Sequence, residues 1–170
     1  MDVMKYVMII VVSLGLGVNA NAQSEKYKAA FLYQISLMVK WPPNMESGDF
    51  VIGIIGKTPV KNELETFGKS RKFKGRPIVI KSFSGSEAIG KCNILFLANN
   101  SKSSIADLAS RAGNQGTLIF SESPGLATKG SSINFLISGG KLKIELNAST
   151  LEDAGLRASA ELKSLAIMVD

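Results

Sequence analysis

Ile133-Asn-Phe-Leu-Ile-Ser-Gly-Gly-Lys-Leu-Lys-Ile-Glu-Leu-Asn147 is the stretch whose reading decides the fold. Ile133, Phe135 and Ile137 alternate with Ser132, Asn134 and Ser138. Leu142, Ile144 and Leu146 alternate with Lys141, Lys143 and Glu145. Two period-two runs joined by Gly139-Gly140 spell an antiparallel hairpin, because glycine enters a primed two-residue turn without steric cost. Each strand is expected to be apolar on one face and wet on the other. Downstream, Ser149-Thr150-Leu151-Glu152 reads as a capping box. It opens a long helix with Leu151, Ala154, Ala158, Leu162, Leu165, Ala166 and Val169 on one face.

Upstream of the hairpin, helical and β-type runs alternate. Ser24 to Lys40 reads as a helix with Ser24 as N-cap. Tyr27, Ala30, Phe31, Gln34, Ile35 and Met38 form its apolar stripe. Trp41-Pro42-Pro43 ends it, since a residue before proline avoids helical backbone. Phe50 to Ile55 is a first strand, and Thr58-Pro59 starts a helix that runs to about Phe67 and stops at Gly68. After a basic loop, Ile78 to Phe83, Asn93 to Leu97 and Thr117 to Phe120 are further strands. A turn or short helix lies at Ser84 to Ile89. A helix at Ser103 to Ala112 is capped by Gly113. The pattern predicts one α/β domain: a mixed sheet of about six strands flanked by helices, with the C-terminal hairpin and long helix.

The N-terminus sets the compartment. Lys5, an almost wholly apolar run from Tyr6 to Val18, and the small residues of Ala20-Asn21-Ala22 make the three-part pattern of a cleavable signal peptide over residues 1–22. The apolar run is short for a membrane span, which takes roughly 20 residues. An exported domain over residues 23–170 follows, destined for a bacterial periplasm. Its length is enough for a core that buries roughly 70% of the unfolded surface.

The chain carries 20 Lys and Arg against 14 Asp and Glu, a net charge of +6, and no histidine. Without histidine there is no His-based triad or general base, and most zinc-site chemistries are excluded. Nor is there a Gly-x-Ser-x-Gly elbow or a paired-carboxylate motif. No catalytic residue, cofactor or metal site is expected. Gly53-Ile54-Ile55-Gly56-Lys57-Thr58 has the context of a phosphate loop, strand before and helix after. It lacks the required first glycine, since Val51 stands there. The simpler reading is a tight turn.

Lys69, Arg71, Lys72, Lys74 and Arg76 place five cations in eight residues. The readings are a solvated loop, or a surface for an acidic protein or anionic lipid. Nucleic acid is set aside because an exported protein rarely meets it. Cys92, the only cysteine, is expected to be a buried, inert thiol without an internal disulfide. Glu145, Asn147 and Arg157, with Arg76 as a further charged contact, are the candidate partner- or ligand-binding residues; the plainer reading gives the first two local structural roles.

Taken in order, these motifs resemble the YfiR-like family of periplasmic proteins, from Tyr27 to about Val169. The resemblance is carried by Lys28-Ala-Ala-Phe-Leu-Tyr33, Val39-Lys-Trp-Pro42, Ile52-Gly-Ile-Ile-Gly56 with Pro59, Gly75-Arg-Pro-Ile78 and Cys92-Asn-Ile-Leu-Phe96. It continues through Pro124-Gly125 to Gly130, Ile133-Asn-Phe135, Ile144-Glu-Leu-Asn147, and Ala154-Gly-Leu156 with Ser159. It implies a mixed sheet flanked by helices, a homodimer and no enzymatic activity. It further implies a regulator that binds and inhibits the periplasmic domain of an inner-membrane diguanylate cyclase or sensor kinase. Its release then raises cyclic di-GMP and favours biofilm growth. Relatives often join the cysteine of the third strand to one in the first; Phe50 to Gly56 contains none, so that disulfide is not expected here. The alternative is a periplasmic small-molecule-binding module that senses a ligand for a sensor kinase or transporter.

Overall fold

The computed structural model describes residues 20–84, 89–112 and 116–170, with side chains described from Ser24 onward. The leader up to residue 19, residues 85–88 of the expected turn and the Gly113 cap lie outside the described residues. In chain order the elements are α1 (Ala20–Leu37), β1 (Val39–Lys40), a 3-10 turn (Pro43–Met45), β2 (Phe50–Ile55), α2 (Val60–Ser70), β3 (Lys72–Phe73), β4 (Arg76–Phe83) and β5 (Ile94–Leu97). They continue with α3 (Ile105–Ala112), β6 (Leu118–Ser121), a second 3-10 turn (Ala127–Lys129), β7 (Ile133–Ser138) and β8 (Lys141–Asn147). Last come α4 (Ala148–Asp153), β9 (Arg157–Ala158), α5 (Ala160–Leu165) and β10 (Ile167–Val169).

Eight strands form one mixed sheet in the order β10-β8-β7-β6-β5-β2-β4-β3. The middle, from β4 to β7, is parallel; β3 joins β4 and β8 joins β7 antiparallel; β10 closes the other edge parallel to β8. The central strands are near-continuous apolar runs because both faces are covered. One face buries Ile52, Ile54, Phe96, Phe120, Phe135 and Leu146 beneath Leu32 and Ile35 of α1, Leu64 of α2, and Leu151 and Leu162 of the last two helices. The opposite face buries Ile55, Leu95, Leu97 and Ile119 beneath Ile105, Leu108 and Ala112 of α3. An aromatic cluster fills the β3–β4 end. Phe50 and Phe73 stack at 3.8 Å, and Trp41 meets both edge-on.

The expected fold class holds, with more strands than the six foreseen and with several local corrections. α1 begins at Ala20, so Ser24 lies within it rather than capping it. It ends at Leu37, because Val39 and Lys40 leave to pair with Ala158 and Arg157. Its core side is Ala29, Leu32, Ile35 and Ser36; Tyr27 and Phe31 of the expected stripe are exposed. α2 does not stop at Gly68. A Cβ there would lie 3.1 Å from the Ile78 carbonyl oxygen, so the glycine serves a close approach of helix to strand rather than a stop. The loop after it is a hairpin, β3–β4. The wet face of the C-terminal hairpin is dry at its base, where Asn134 is buried, while Ile137 near the tip is 61% exposed.

The expected long C-terminal helix is two six-residue helices and two short strands. Asn147, not Ser149, caps α4 by accepting from the Thr150 amide at 2.9 Å. Gly155 at φ +74° breaks the helical run, and Ser159 starts α5 by accepting from the Leu162 amide at 3.1 Å. The Gly53–Thr58 segment is the expected tight turn, with Gly56 at φ +89°. The Lys57 amide, which a phosphate would need, instead donates to Asn100 Oδ1 at 3.1 Å, and Asn100 Nδ2 returns a bond to the Lys57 carbonyl at 2.7 Å.

Candidate functional site

Tyr27, Phe31, Gln34 and Met38 recur at four, three and four residues, the spacing of a helix-docking seam. In the fold Tyr27, Phe31 and Gln34 face away from the core, while Met38 packs against its border. With Leu37, Leu142 and Leu165 the seam lines an apolar groove of about 530 Å³ between α1, β8 and α5. A second hollow of about 410 Å³ continues it past Tyr27 and Phe31 to Ile137 and Gly140 at the hairpin tip. Ile167 and Met168 of the edge strand β10 are also about half exposed. Among the described residues, the exposed large apolar side chains thus lie on α1, the hairpin tip, α5 and β10. Contiguous exposed apolar surface of this kind marks an interaction site.

Beside the groove lies a charged hollow of about 460 Å³, lined by Lys28, Glu122, Glu145, Phe135 and Leu142 among others. The Lys28 ammonium sits 2.9 Å from Glu122 Oε2 and 3.1 Å from Glu25 Oε1. Burial alone would lower its pKa, but the hydrogen bonds and charges of Glu122 and Glu25 outweigh it and hold Lys28 above the usual lysine range. Glu122 Oε1 also accepts from the Asn99 amide at 3.2 Å. A polar ladder crosses three strands toward this hollow. The Ser121 hydroxyl donates to Asn134 Oδ1 at 2.7 Å, and Asn134 Nδ2 donates to Glu145 Oε2 at 2.8 Å. Ser121 and Asn134 are fully buried, so they fix the Glu145 carboxylate at the rim.

The four candidate residues do not share one site. Glu145 lines the charged hollow. Asn147 is buried; besides capping α4 it donates to the Ala127 carbonyl at 3.0 Å. Arg157 is exposed on β9, directly opposite Lys40. Arg76 lies on β4, five strand positions from Glu145, roughly 24 Å away. It acts as a clamp. Its guanidinium donates to the carbonyls of Met45, Ser47, Gly48 and Asp49 at 2.7–3.2 Å and lies over the Phe50 ring. Burial lowers its pKa against the opposing charges of Asp49 and Glu46. Asn93 completes the clamp by donating to the Met45 carbonyl and accepting from the Val51 amide.

Cys92 is buried, and burial pushes its thiol up to about 11. Among the described residues, no group of three or more Cys, Asp or Glu gathers in a metal-binding arrangement, and no helix is long and apolar enough to cross a membrane. The groove stripe was legible as a seven-residue repeat, but on the wrong side of α1. The signal passed over was that α1 is apolar on two faces, and a helix needs only one for its own core.

Residues 25–167 match the family model described as YfiR/HmsC-like. No curated protein matches the chain.

Proposed function

Because the chain belongs to the YfiR/HmsC-like family, whose members are periplasmic regulators rather than enzymes, we propose that it inhibits an inner-membrane signalling protein. The target is the periplasmic domain of a diguanylate cyclase, whose cyclic di-GMP output falls while the complex is held. The observation that carries this reading is the concentration of exposed Tyr27, Phe31, Leu37, Leu165 and Ile137 along the groove and its continuation. A dry seam of this kind suits a helix of a partner laid in a groove. Glu145, fixed by Asn134, supplies a charged contact at its border, and Arg157 a cation on β9. Asn147 supports this face from inside the fold, while Arg76 braces the opposite end of the sheet. The same face serves a homodimer, which the receptor domain opens or engages. To inhibit, the protein must bind the inactive receptor better than the active one, since equal affinity shifts nothing.

The test is a pull-down with residues 23–170 from detergent-solubilised membranes of the host, paired with cyclic di-GMP measurement. Recovery of one inner-membrane cyclase, lost in Phe31→Glu, together with raised cyclic di-GMP in that variant, is the expected result. Glu145→Lys relieves inhibition while leaving the fold intact. If Phe31→Glu and Glu145→Lys both inhibit like the parent, the groove is not the docking face.

The groove's volume also falls within the range of small-molecule sites, and it favours a second reading as a ligand-sensing module for a sensor kinase or transporter. A ligand that binds the folded state raises Tm by mass action. A thermal-shift screen with apolar and amphipathic metabolites separates the two readings.

A further inference from the structure

The far edge of the sheet is rich in exposed cations, with Glu46 and Asp49 as acidic neighbours of the Arg76 clamp. From Thr66 to Ser86 the sequence has six Lys or Arg and no Asp or Glu. The fold gathers them on the end of α2 and the β3–β4 hairpin. Arg76 is committed to the internal clamp. Lys69, Arg71, Lys72, Lys74 and Lys81 are all exposed. None makes an ion pair among the described residues, whose ion pairs involve only Lys28, Lys61 and Arg111. Arg71 rests over the Phe67 ring at 5.3 Å and Lys74 over the Phe73 ring at 5.7 Å. The rings thus hold both cationic groups at the surface, and both residues remain exposed.

A second observation is backbone strain. Lys74 is the only non-glycine among the described residues at positive φ, +48°, followed by Gly75 at +84°. Phe73 pairs with Arg76 across this two-residue turn. Such a turn prefers Asn, Asp or Gly at its first central position. The chain instead places a lysine there, at the tip of the cationic hairpin, and carries the strain. A costly conformer at an exposed tip points to a use for that side chain.

We propose that this edge, built on Lys69, Arg71, Lys72, Lys74 and Lys81, is a peripheral docking surface for an anionic phospholipid bilayer. The composition favours lipid over an acidic protein. Protein interfaces are depleted in lysine and centre on a buried aromatic or aliphatic anchor. Four of these five cations are lysines, and the exposed large apolar residues lie elsewhere. A diffuse layer of anionic headgroups needs neither shape nor anchor, only unpaired charge close to its surface. The cationic edge and the β10 edge are seven strand spacings apart, roughly 34 Å. A molecule seated on its cationic edge therefore presents the groove away from the bilayer surface, at the height of a receptor's outer domain. The physiological sense rests on the periplasmic reading above; the surface itself does not.

The experiment is co-sedimentation of residues 23–170, which contain the whole sheet and both cores, with vesicles of phosphatidylglycerol and phosphatidylcholine or of phosphatidylcholine alone. Binding only to the anionic vesicles, suppressed by added salt, is expected. Lys74→Asn relaxes the turn, so it keeps or improves folding, yet weakens binding about fivefold. Lys69→Gln, Lys72→Gln and Lys81→Gln combined weaken it about a hundredfold. Phe31→Glu leaves it unchanged, so failure of this proposal is distinct from failure of the receptor-binding one. Equal binding to neutral vesicles, no binding to anionic ones, or full binding by the triple variant overturns the proposal, and the last two outcomes return the edge to an acidic protein or to solvent.

Discussion

The sheet carries two hairpins with two-residue turns, one near each edge, and they are built from opposite materials. The β7–β8 turn is Gly139-Gly140, with φ at +59° and +71°. Its strands carry apolar residues out to an exposed Ile137 beside the groove. The β3–β4 turn is Lys74-Gly75, with φ at +48° and +84°. Its flanks carry unpaired cations. The backbone problem is the same and is solved without strain at one end and with strain at the other. Glycine at the C-terminal tip asks nothing of a side chain. Lysine at the cationic tip is tolerated because Phe73 beneath it is buried, stacked on Phe50 and faced by Trp41. Strong packing under a turn permits a poor turn residue.

The sharpest way to break this comparison is to remove that packing. Phe73→Ala is expected to cost about 3–5 kcal/mol of unfolding free energy, read from urea denaturation. A loss below about 1 kcal/mol would mean that the hairpin is held by its strand bonds and not by the aromatic stack. Next is the clamp. Arg76→Met removes donors from four backbone carbonyls and is expected to cost roughly 2–3 kcal/mol. Arg76→Lys recovers little, because a point charge cannot span the fork of acceptors. The two tips then trade places. Gly139→Lys is expected to destabilise by about 1–2 kcal/mol, and Lys74→Gly to stabilise by up to about 1 kcal/mol. Equal and small effects at both tips would erase the claimed difference in strain.

A separate, pH-dependent effect comes from Cys92, between the two ends. Its folded pKa of about 11 lies above that of a free thiol, so folding favours the neutral form. The stability this contributes is fully present below about pH 9 and is lost as pH rises through about 11. Between those limits the parent should lose roughly 2–3 kcal/mol more than Cys92→Ala. At pH 8 the native thiol should not react with a thiol reagent until the protein is unfolded.

The two hairpins also explain what was legible. The C-terminal one announces itself by period-two alternation and Gly-Gly, and its residue register matches the expectation. The β3–β4 hairpin hides because β3 has two residues, one of them charged, and because Lys-Gly is a poor turn signature. The end of the chain misled for a different reason. Leu151, Ala154, Ala158, Leu162 and Leu165 do keep a helical spacing, but Gly155 in the left-handed region interrupts it, and the last residues gain more by pairing with β8. Of the candidate residues, Glu145 lines the charged hollow. Asn147 and Arg76 owe their polarity to internal bonds. The groove stripe was visible as a repeat, yet no count of apolar positions says which of two apolar faces a helix turns inward.

The pairing of β1 with β9 has a bearing on how the chain is made. Val39 and Lys40 meet Ala158 and Arg157, and the Ser159 amide donates to the Met38 carbonyl at 2.9 Å. The first helix is thus clasped by a segment near the end of the chain. A polypeptide that leaves a ribosome or threads a translocation pore amino end first must wait for about 120 further residues before this clasp can close. During that interval Ala29, Leu32 and Ile35 lack their final cover. A chaperone would find its handle there, at the same helix that in the finished molecule turns its other apolar face outward.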